Sequence, residues 1–415
     1  MIQYGAISRC QSCDGQNLTS VLFLGYLPPV NLMRPIGAVP QEETWYPAEM
    51  LYCPACHLVQ LGYAVPPEIL FPREYPYTSG TTRILRENFA ELAQQVTDLG
   101  LMKPQDLIVD VGSNDGTLLG SFLPLGYRVA GIEPSDTSHL AQKKGIATLQ
   151  AYFNREAVDR TIADHGKPTV VTATNVFAHI HGVDSLMANI AELAGNEGVF
   201  ISESHYLGDL VETLQYDTIY HEHLRYYSLI SIQNLLRRYG FHVFRVKRIP
   251  THGGSIRVFA SRSQRFAVDS SVNDLLKVER EQGLESSSWI PAFRERVLRS
   301  KLELYEMLSR LKKEGARIYG VGAPSRASTL VNYVGLDDGL LDCVLEVKNS
   351  LKVGKFLPGR NIPVEEESRL YTDQPPYVLF LSWHIARELA DNLTRNGYKG
   401  SFIVPLPEPH IFRQA

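Results

Sequence analysis

Tyr220, His221, Glu222, His223, Tyr226 and Tyr227 all fall within the stretch IYHEHLRYYS, residues 219–228. Imidazoles, a carboxylate and phenols at this density can move a proton, hold a metal, or form a polar patch without chemistry. The helical H-E-x-x-H zinc signature is missing, because His221 and His223 are only two positions apart. On extended backbone, 221 and 223 face one way and 220 and 222 the other. A second cluster, NVFAHIH, brings Asn175, His179 and His181, and a third, YPY, brings Tyr75 and Tyr77. Any one of these histidines reads first as a hydrogen-bonded structural residue. Two clusters at one edge of a sheet, beside a cofactor, read as a proton-transfer site.

Four of the five cysteines form two close pairs, CQSC at Cys10 and Cys13 and CPAC at Cys53 and Cys56. Each CxxC turn can place two thiolates on one tetrahedral Zn²⁺. The 39 residues between the pairs exceed the usual zinc-ribbon spacing. Sulfur at all four corners leaves no open position, so the metal is expected to be structural. His57 reads as a bystander, and Cys343, inside LLDCVL, as core.

The cofactor signal is VDVGSNDGTLLGSF. Asp110 ends a strand, Gly112 and Gly116 flank a turn, and a helix is expected from near Asp115. Glu133 ends the next strand, 21 residues beyond Gly112, where a carboxylate can accept from ribose hydroxyls. The ligand therefore carries a nucleoside. Asn114 stands at the second glycine position of the dinucleotide motif, and Asp115 would repel a pyrophosphate. S-adenosylmethionine (SAM) has no phosphate and a cationic amino group, and it suits this loop better than NAD. Phe153, in QAYFN, can lie against adenine, and Asn175 follows the fourth strand at the same edge. GVGAPS at 320–325 imitates a second dinucleotide loop, which alone is weak evidence.

The elements that must position these groups alternate. From 107 to 261, LIVDVG, YRVAGIEP, TVVTATN and GVFISES read as strands separated by helices, which implies a parallel sheet. FHVFRVKRI and SIRVFASR close it as an antiparallel hairpin, the shape of a SAM methyltransferase. Residues 1–65 read as a small metal-stapled domain, 66–265 as the methyltransferase domain, and 266–415 as a second Rossmann-like α/β domain. A polar, serine-containing stretch and a helix over 290–313 open that last part. The 415 residues carry a net charge of −4 without a long basic tract, which argues against nucleic-acid and membrane-surface partners. No signal peptide and no transmembrane run is legible, so a cytoplasmic location is expected.

These motifs together resemble the sugar C-methyltransferases of deoxysugar pathways. The resemblance spans nearly the whole chain, through CQSC and CPAC, YPYTSGTT, DVGSNDGTLL, NVFAHI, YHEHLRYYSL, GGSIRV, GAPSRASTLVNYVG and KVGKFLPGRNIPV. It implies a zinc domain, a SAM domain and a C-terminal Rossmann-like domain. The implied substrate is a nucleotide-linked 4-keto-6-deoxy sugar, carried by dTDP, GDP or CDP and bound between the last two domains. It implies His223 as catalytic base, with Tyr220, Glu222 and His179 in support. A tyrosine of YPYTSG also belongs to the site, Tyr75 in preference to Tyr77. Glu346 and Val347 stand where an Asp and a small or polar residue are expected, and His384 where Asn is expected. Both departures fall where nucleotide specificity could be set.

The implied reaction removes the C-3 proton beside the 4-keto group and adds a methyl to the resulting enolate carbon. Three other readings compete: sugar O-methylation on the same scaffold, a zinc-knuckle RNA methylase, and a nicotinamide oxidoreductase using the GVGAPS loop.

Overall fold

A computed structural model describes residues 4–39, 42–71 and 78–414. Its central sheet has seven strands: Leu107–Val111, Arg128–Ile132, Ala147–Leu149, Val170–Thr174, Val199–His205, His242–Ile249 and Ser255–Ser261. Numbered in that order, their spatial order is third, second, first, fourth, fifth, seventh, sixth. The first five run parallel, and Ser255–Ser261 inserts antiparallel beside Val199–His205. Leu107–Val111 and Val170–Thr174 are buried at every position. Helices cover both faces of such a sheet, so its strands read as apolar runs rather than alternating ones. The hairpin predicted from FHVFRVKRI and SIRVFASR is present, with His242–Ile249 paired against Ser255–Ser261.

The order reverses between Leu107–Val111 and Val170–Thr174, and the carboxyl edge there is where open α/β sheets bind ligands. The glycine loop follows the first of these strands and the Asn175–His181 stretch follows the second.

The first cysteine pair precedes a meander of Thr19–Leu27, Tyr46–Tyr52 and Val59–Leu61, and the second pair sits in the turn between its last two strands. A fourth strand joins it from the middle of the chain: Arg225 pairs with Gln60 and Tyr226 with Val59. The N-terminal sheet thus takes in the two residues just beyond YHEHL. Its apolar face, including Val21, Met50 and Leu61, shares one core with the C-terminal α/β unit, including Phe293, Leu304 and Val331.

The C-terminal sheet has six strands, in the order Val364–Glu366, Cys343–Glu346, Ile318–Val321, Tyr377–Phe380, Ser401–Val404, His410–Phe412. Only the last pairing is antiparallel. The helix Ile290–Lys313 lies where the sequence places it. The stretch before it, read only as polar and serine-containing, contains a helix, Ser270–Glu281. Asp269 caps that helix by accepting from the Ser271 amide, and the buried residues Val272, Leu275 and Glu279 fall at helical spacing. Its few apolar positions hid the periodicity. Among the described residues, no helix is long and apolar enough to cross a membrane.

Candidate functional site

Cys10, Cys13, Cys53 and Cys56 converge, with all four sulfurs within 4.8 Å of one another. Cys10 Sγ lies 3.4 Å from Cys56 Sγ, and Cys13 Sγ 3.5 Å from Cys53 Sγ. Tetrahedral Zn–S bonds of ~2.3 Å put sulfurs ~3.8 Å apart, so this cage fits the ion. None of the four cysteines is in a disulfide. His57 turns away and shares a 2.7 Å hydrogen bond with the Tyr52 hydroxyl. Cys343 is buried in its strand.

The glycine loop is built by close packing. Gly112 has φ +71°, and a Cβ there would sit 2.4 Å from Val176. Gly116, at φ +75°, would drive a Cβ to 2.6 Å from Ile146. Glu133 lies under the loop: its carboxylate accepts from the Asn114 amide at 2.9 Å and from the Ser135 amide and hydroxyl at 2.9 and 2.6 Å. A carboxylate offers about four acceptor positions, so this one is held in place with capacity for a ribose hydroxyl.

Asp110 is buried in the first strand. Its carboxylate accepts from Thr172 Oγ1 at 2.7 Å, and burial pushes it up to about 8. Asp115 serves the helix Thr117–Phe122, accepting from Thr117 Oγ1 at 2.7 Å, and it pairs with Lys144 at 3.2 Å. Asn114 takes left-handed backbone and accepts from the Ser79 amide at 2.9 Å. Asn175, also left-handed, donates its amide to the Glu203 carbonyl and so ties the fourth strand's end to the fifth. Phe153 is half-buried against the apolar core beside the sheet.

The YHEH stretch is a turn, closed by the His223 amide donating to the Tyr220 carbonyl. The alternation expected of extended backbone therefore does not hold. The rings of Tyr220 and His223 come together at 4.1 Å. His221 goes elsewhere: its Nε2–H donates to the Pro47 carbonyl at 3.2 Å, and it packs edge-on to Tyr46. Glu222 accepts from Asn31 Nδ2 at 2.7 Å, and Asn31 Oδ1 in turn accepts from Ser325 Oγ at 3.4 Å.

His223 stands in a group of rings. His179 stacks at 4.9 Å, His205 meets it edge-on at 4.9 Å, and His252 lies 5.6 Å from His205. Phe71 also stacks with His179, at 6.1 Å. His181 faces Tyr4 instead, 5.1 Å away. Tyr75 and Tyr77 lie outside the described residues.

His223 Nδ1 is 2.9 Å from the Thr218 carbonyl, which can only accept. Nδ1 therefore carries the proton, and Nε2 is left with the basic lone pair. Burial, and then the neighbouring His179, hold His223 well below the usual imidazole range. Burial holds His179 and His252 down at about 4. Burial also raises Tyr220 well above the ordinary phenol value, so it stays a donor.

The C-terminal unit borders this group, with the turn Trp383–Ile385 against the turn Thr251–Gly253. Arg326 pairs with buried Asp217 at 3.2 Å, donates to His384 Nδ1 and to Gln215 Oε1 at 2.8 Å each, and lies over Trp383. Trp383 Nε1 donates to the same Asp217 carboxylate at 2.7 Å. His384, where Asn was expected, is thus an acceptor for Arg326. Glu346 accepts from the Ala323 amide at 2.7 Å, inside the GVGAPS loop itself.

Sequence reasoning missed His205, His252, Arg326 and Asp217. His205 ends the fifth strand and was open to the strand-end rule that selected Asn175. His252 sits in PTHGG, read only as a hairpin loop. Arg326 and Asp217 meet across 109 residues of chain, and no local signal announces such a pair.

Three family models cover most of the chain. Residues 10–71 match a putative zinc binding domain, 84–246 a methyltransferase domain, and 250–407 a C-methyltransferase C-terminal domain. The chain is 30% identical over 410 residues to C-methyltransferase NovU of Streptomyces niveus, covering 98% of this chain and 97% of that one. Solved structures align over less than half of the chain in the two cases that follow. Magnesium protoporphyrin IX methyltransferase (ChlM) from Synechocystis PCC 6803 with bound SAM has a TM-score of 0.33 at 19% identity, over 43% of this chain and 79% of that one. The glycopeptide N-methyltransferase MtfA complexed with SAM has 0.34 at 14% identity, over 42% and 94%. The full-length likeness, the three successive domain matches and the four-cysteine cage agree, and the chain belongs to the SAM-dependent C-methyltransferase family.

Proposed function

We propose that the protein methylates C-3 of a nucleotide-linked 4-keto-6-deoxy sugar. The observation that carries this reading is the tautomer of His223. Its Nδ1–H is committed to the Thr218 carbonyl, so Nε2 is a basic nitrogen held among other rings at the carboxyl edge of the sheet. Carbon methylation needs a carbanion equivalent, and a proton beside a ketone is the ordinary way to obtain one.

When bound, SAM supplies a methyl group on a sulfonium leaving group. The chain's own residues do the rest. His223 Nε2 takes the C-3 proton. Its lowered basicity makes it a weak base, so the enolate oxygen needs a donor, and in this reading Tyr220, beside His223 and kept protonated by burial, gives one. Glu222, fixed by Asn31, is set to orient a sugar hydroxyl or the turn itself. Arg326, paired with Asp217, holds His384 and Gln215 on the side that receives the nucleotide-linked substrate in this reading. Residues 1–65, 66–265 and 266–415 act as zinc, SAM and nucleotide-sugar domains in this reading, and Tyr75 contributes to the same site. The test is incubation with SAM and a panel of dTDP-, GDP- and CDP-linked 4-keto-6-deoxy sugars, with product mass and NMR as readout. A methyl on C-3 of one of them is expected; a methyl on oxygen, or no turnover of any, contradicts the proposal.

A further inference from the structure

Arg225 is among the largest fully buried side chains of the protein. All four of its hydrogen bonds go to neutral oxygens: Tyr227 Oη at 2.9 Å, Gln11 Oε1 at 2.9 Å, and the Phe177 and Ile180 carbonyls at 2.9 and 2.6 Å. Among the described residues, no carboxylate pairs with it. A buried, uncompensated guanidinium is costly.

Its partners lie on two sides. Phe177 and Ile180 bracket His179, whose ring stacks on His223. Gln11 follows Cys10 inside the first knuckle and also donates to the Leu224 carbonyl at 3.3 Å. The Gln60 side chain grips the same knuckle, accepting from the Gln11 amide at 2.7 Å and donating to the Arg9 carbonyl at 3.0 Å. Gln60 is the strand partner of Arg225. The Tyr227 phenol lies between, within electrostatic reach of Arg225 and of Cys10 and Cys56.

We propose that Arg225 is a positioning residue that couples the four-cysteine centre to the imidazoles of His179 and His223. Arg225 reaches the first knuckle through Gln11, the residue after Cys10. Metal loading therefore fixes the Arg225 fork, the fork fixes the 177–180 backbone, and that backbone sets the ring stack. The functional half of this claim rests on the histidine reading above; the structural half does not.

The experiment uses the full chain labelled with ¹⁵N at histidine. Zinc is removed with a chelator under reducing conditions and then restored. The His179 and His223 ring signals, assigned by His→Gln variants, are expected to shift on removal and return with zinc. Gln11→Ala and Arg225→Lys are expected to keep bound zinc and SAM affinity while kcat falls, by on the order of 10²-fold for Arg225→Lys. Gln11→Ala, which removes one bond of four, keeps the test available if Arg225→Lys does not fold. Ring signals indifferent to zinc, or unchanged kcat in Gln11→Ala, would overturn the coupling. Shifting signals together with a fully active His223→Ala would uphold the coupling and sink the histidine reading instead.

Discussion

His221 and His223 differ more than their spacing suggests. Each donates one ring N–H to a backbone carbonyl, but through opposite nitrogens and toward different neighbours. His221 is turned toward Pro47 and Tyr46 of the N-terminal sheet, and His223 toward Tyr220, His179 and His205. His223→Ala is expected to lower kcat by ~10²–10⁴-fold with SAM binding intact, the range of general-base assistance. His221→Ala should stay within a few-fold of wild type, and steady-state kinetics under saturating substrates decides between them. Because His223 is held well below the usual range, kcat/KM should stay level as pH falls through 6.5, with its acid limb lower. Glu133→Ala removes a fixed carboxylate and should weaken SAM binding by about 1–3 kcal/mol, read by calorimetry. The types of these residues were legible in the sequence, but their directions were not. Alternation presumes extended backbone, and a turn at 220–223 replaces it. Asp115, a candidate cofactor residue, accepts from Thr117 Oγ1 and pairs with Lys144.

At the scale of elements, the parallel strands and the closing hairpin were plain, because buried strands announce themselves as apolar runs. The helix Ser270–Glu281 was not, since its buried face includes a carboxylate. Glu279 accepts from the Leu229 and Ile230 amides at the start of the next packed helix, a purpose no local pattern encodes. The strand Arg225–Tyr226 is two residues long and pairs with a segment more than 160 positions away, so it too was invisible. The glycine loop is the opposite case. Gly112→Ala must place a Cβ 2.4 Å from Val176 at a left-handed φ, and Val176 leads into the His179 stretch. It is expected to cost at least about 1 kcal/mol of stability and to weaken SAM binding, checked by denaturant titration and calorimetry.

At the scale of the whole molecule, the N-terminal sheet, the YHEH turn and the C-terminal unit share walls, and metal content should reach beyond residues 1–65. Purified protein is expected to hold about one Zn²⁺ per chain, measured by elemental analysis. Acid should unfold the protein through its buried histidines. Folded His179 and His252 are held at about 4, below the ordinary value, so both forms are neutral above about 6.5. As pH falls from there toward 4, the unfolded chain gains protons that the folded chain refuses. Stability is lost over that window at up to about 1.4 kcal/mol per pH unit for each group. Denaturant midpoints at pH 7 and pH 5 would show it. Carbon methylation by a histidine base has its own direct measurement. A nucleotide-linked 4-keto-6-deoxy sugar carrying deuterium at C-3 is converted with SAM, and the product is weighed. Loss of the deuterium with gain of one methyl, slowed relative to the protio sugar and absent with His223→Ala, is the predicted result. Gain of a methyl with the C-3 deuterium retained would contradict it.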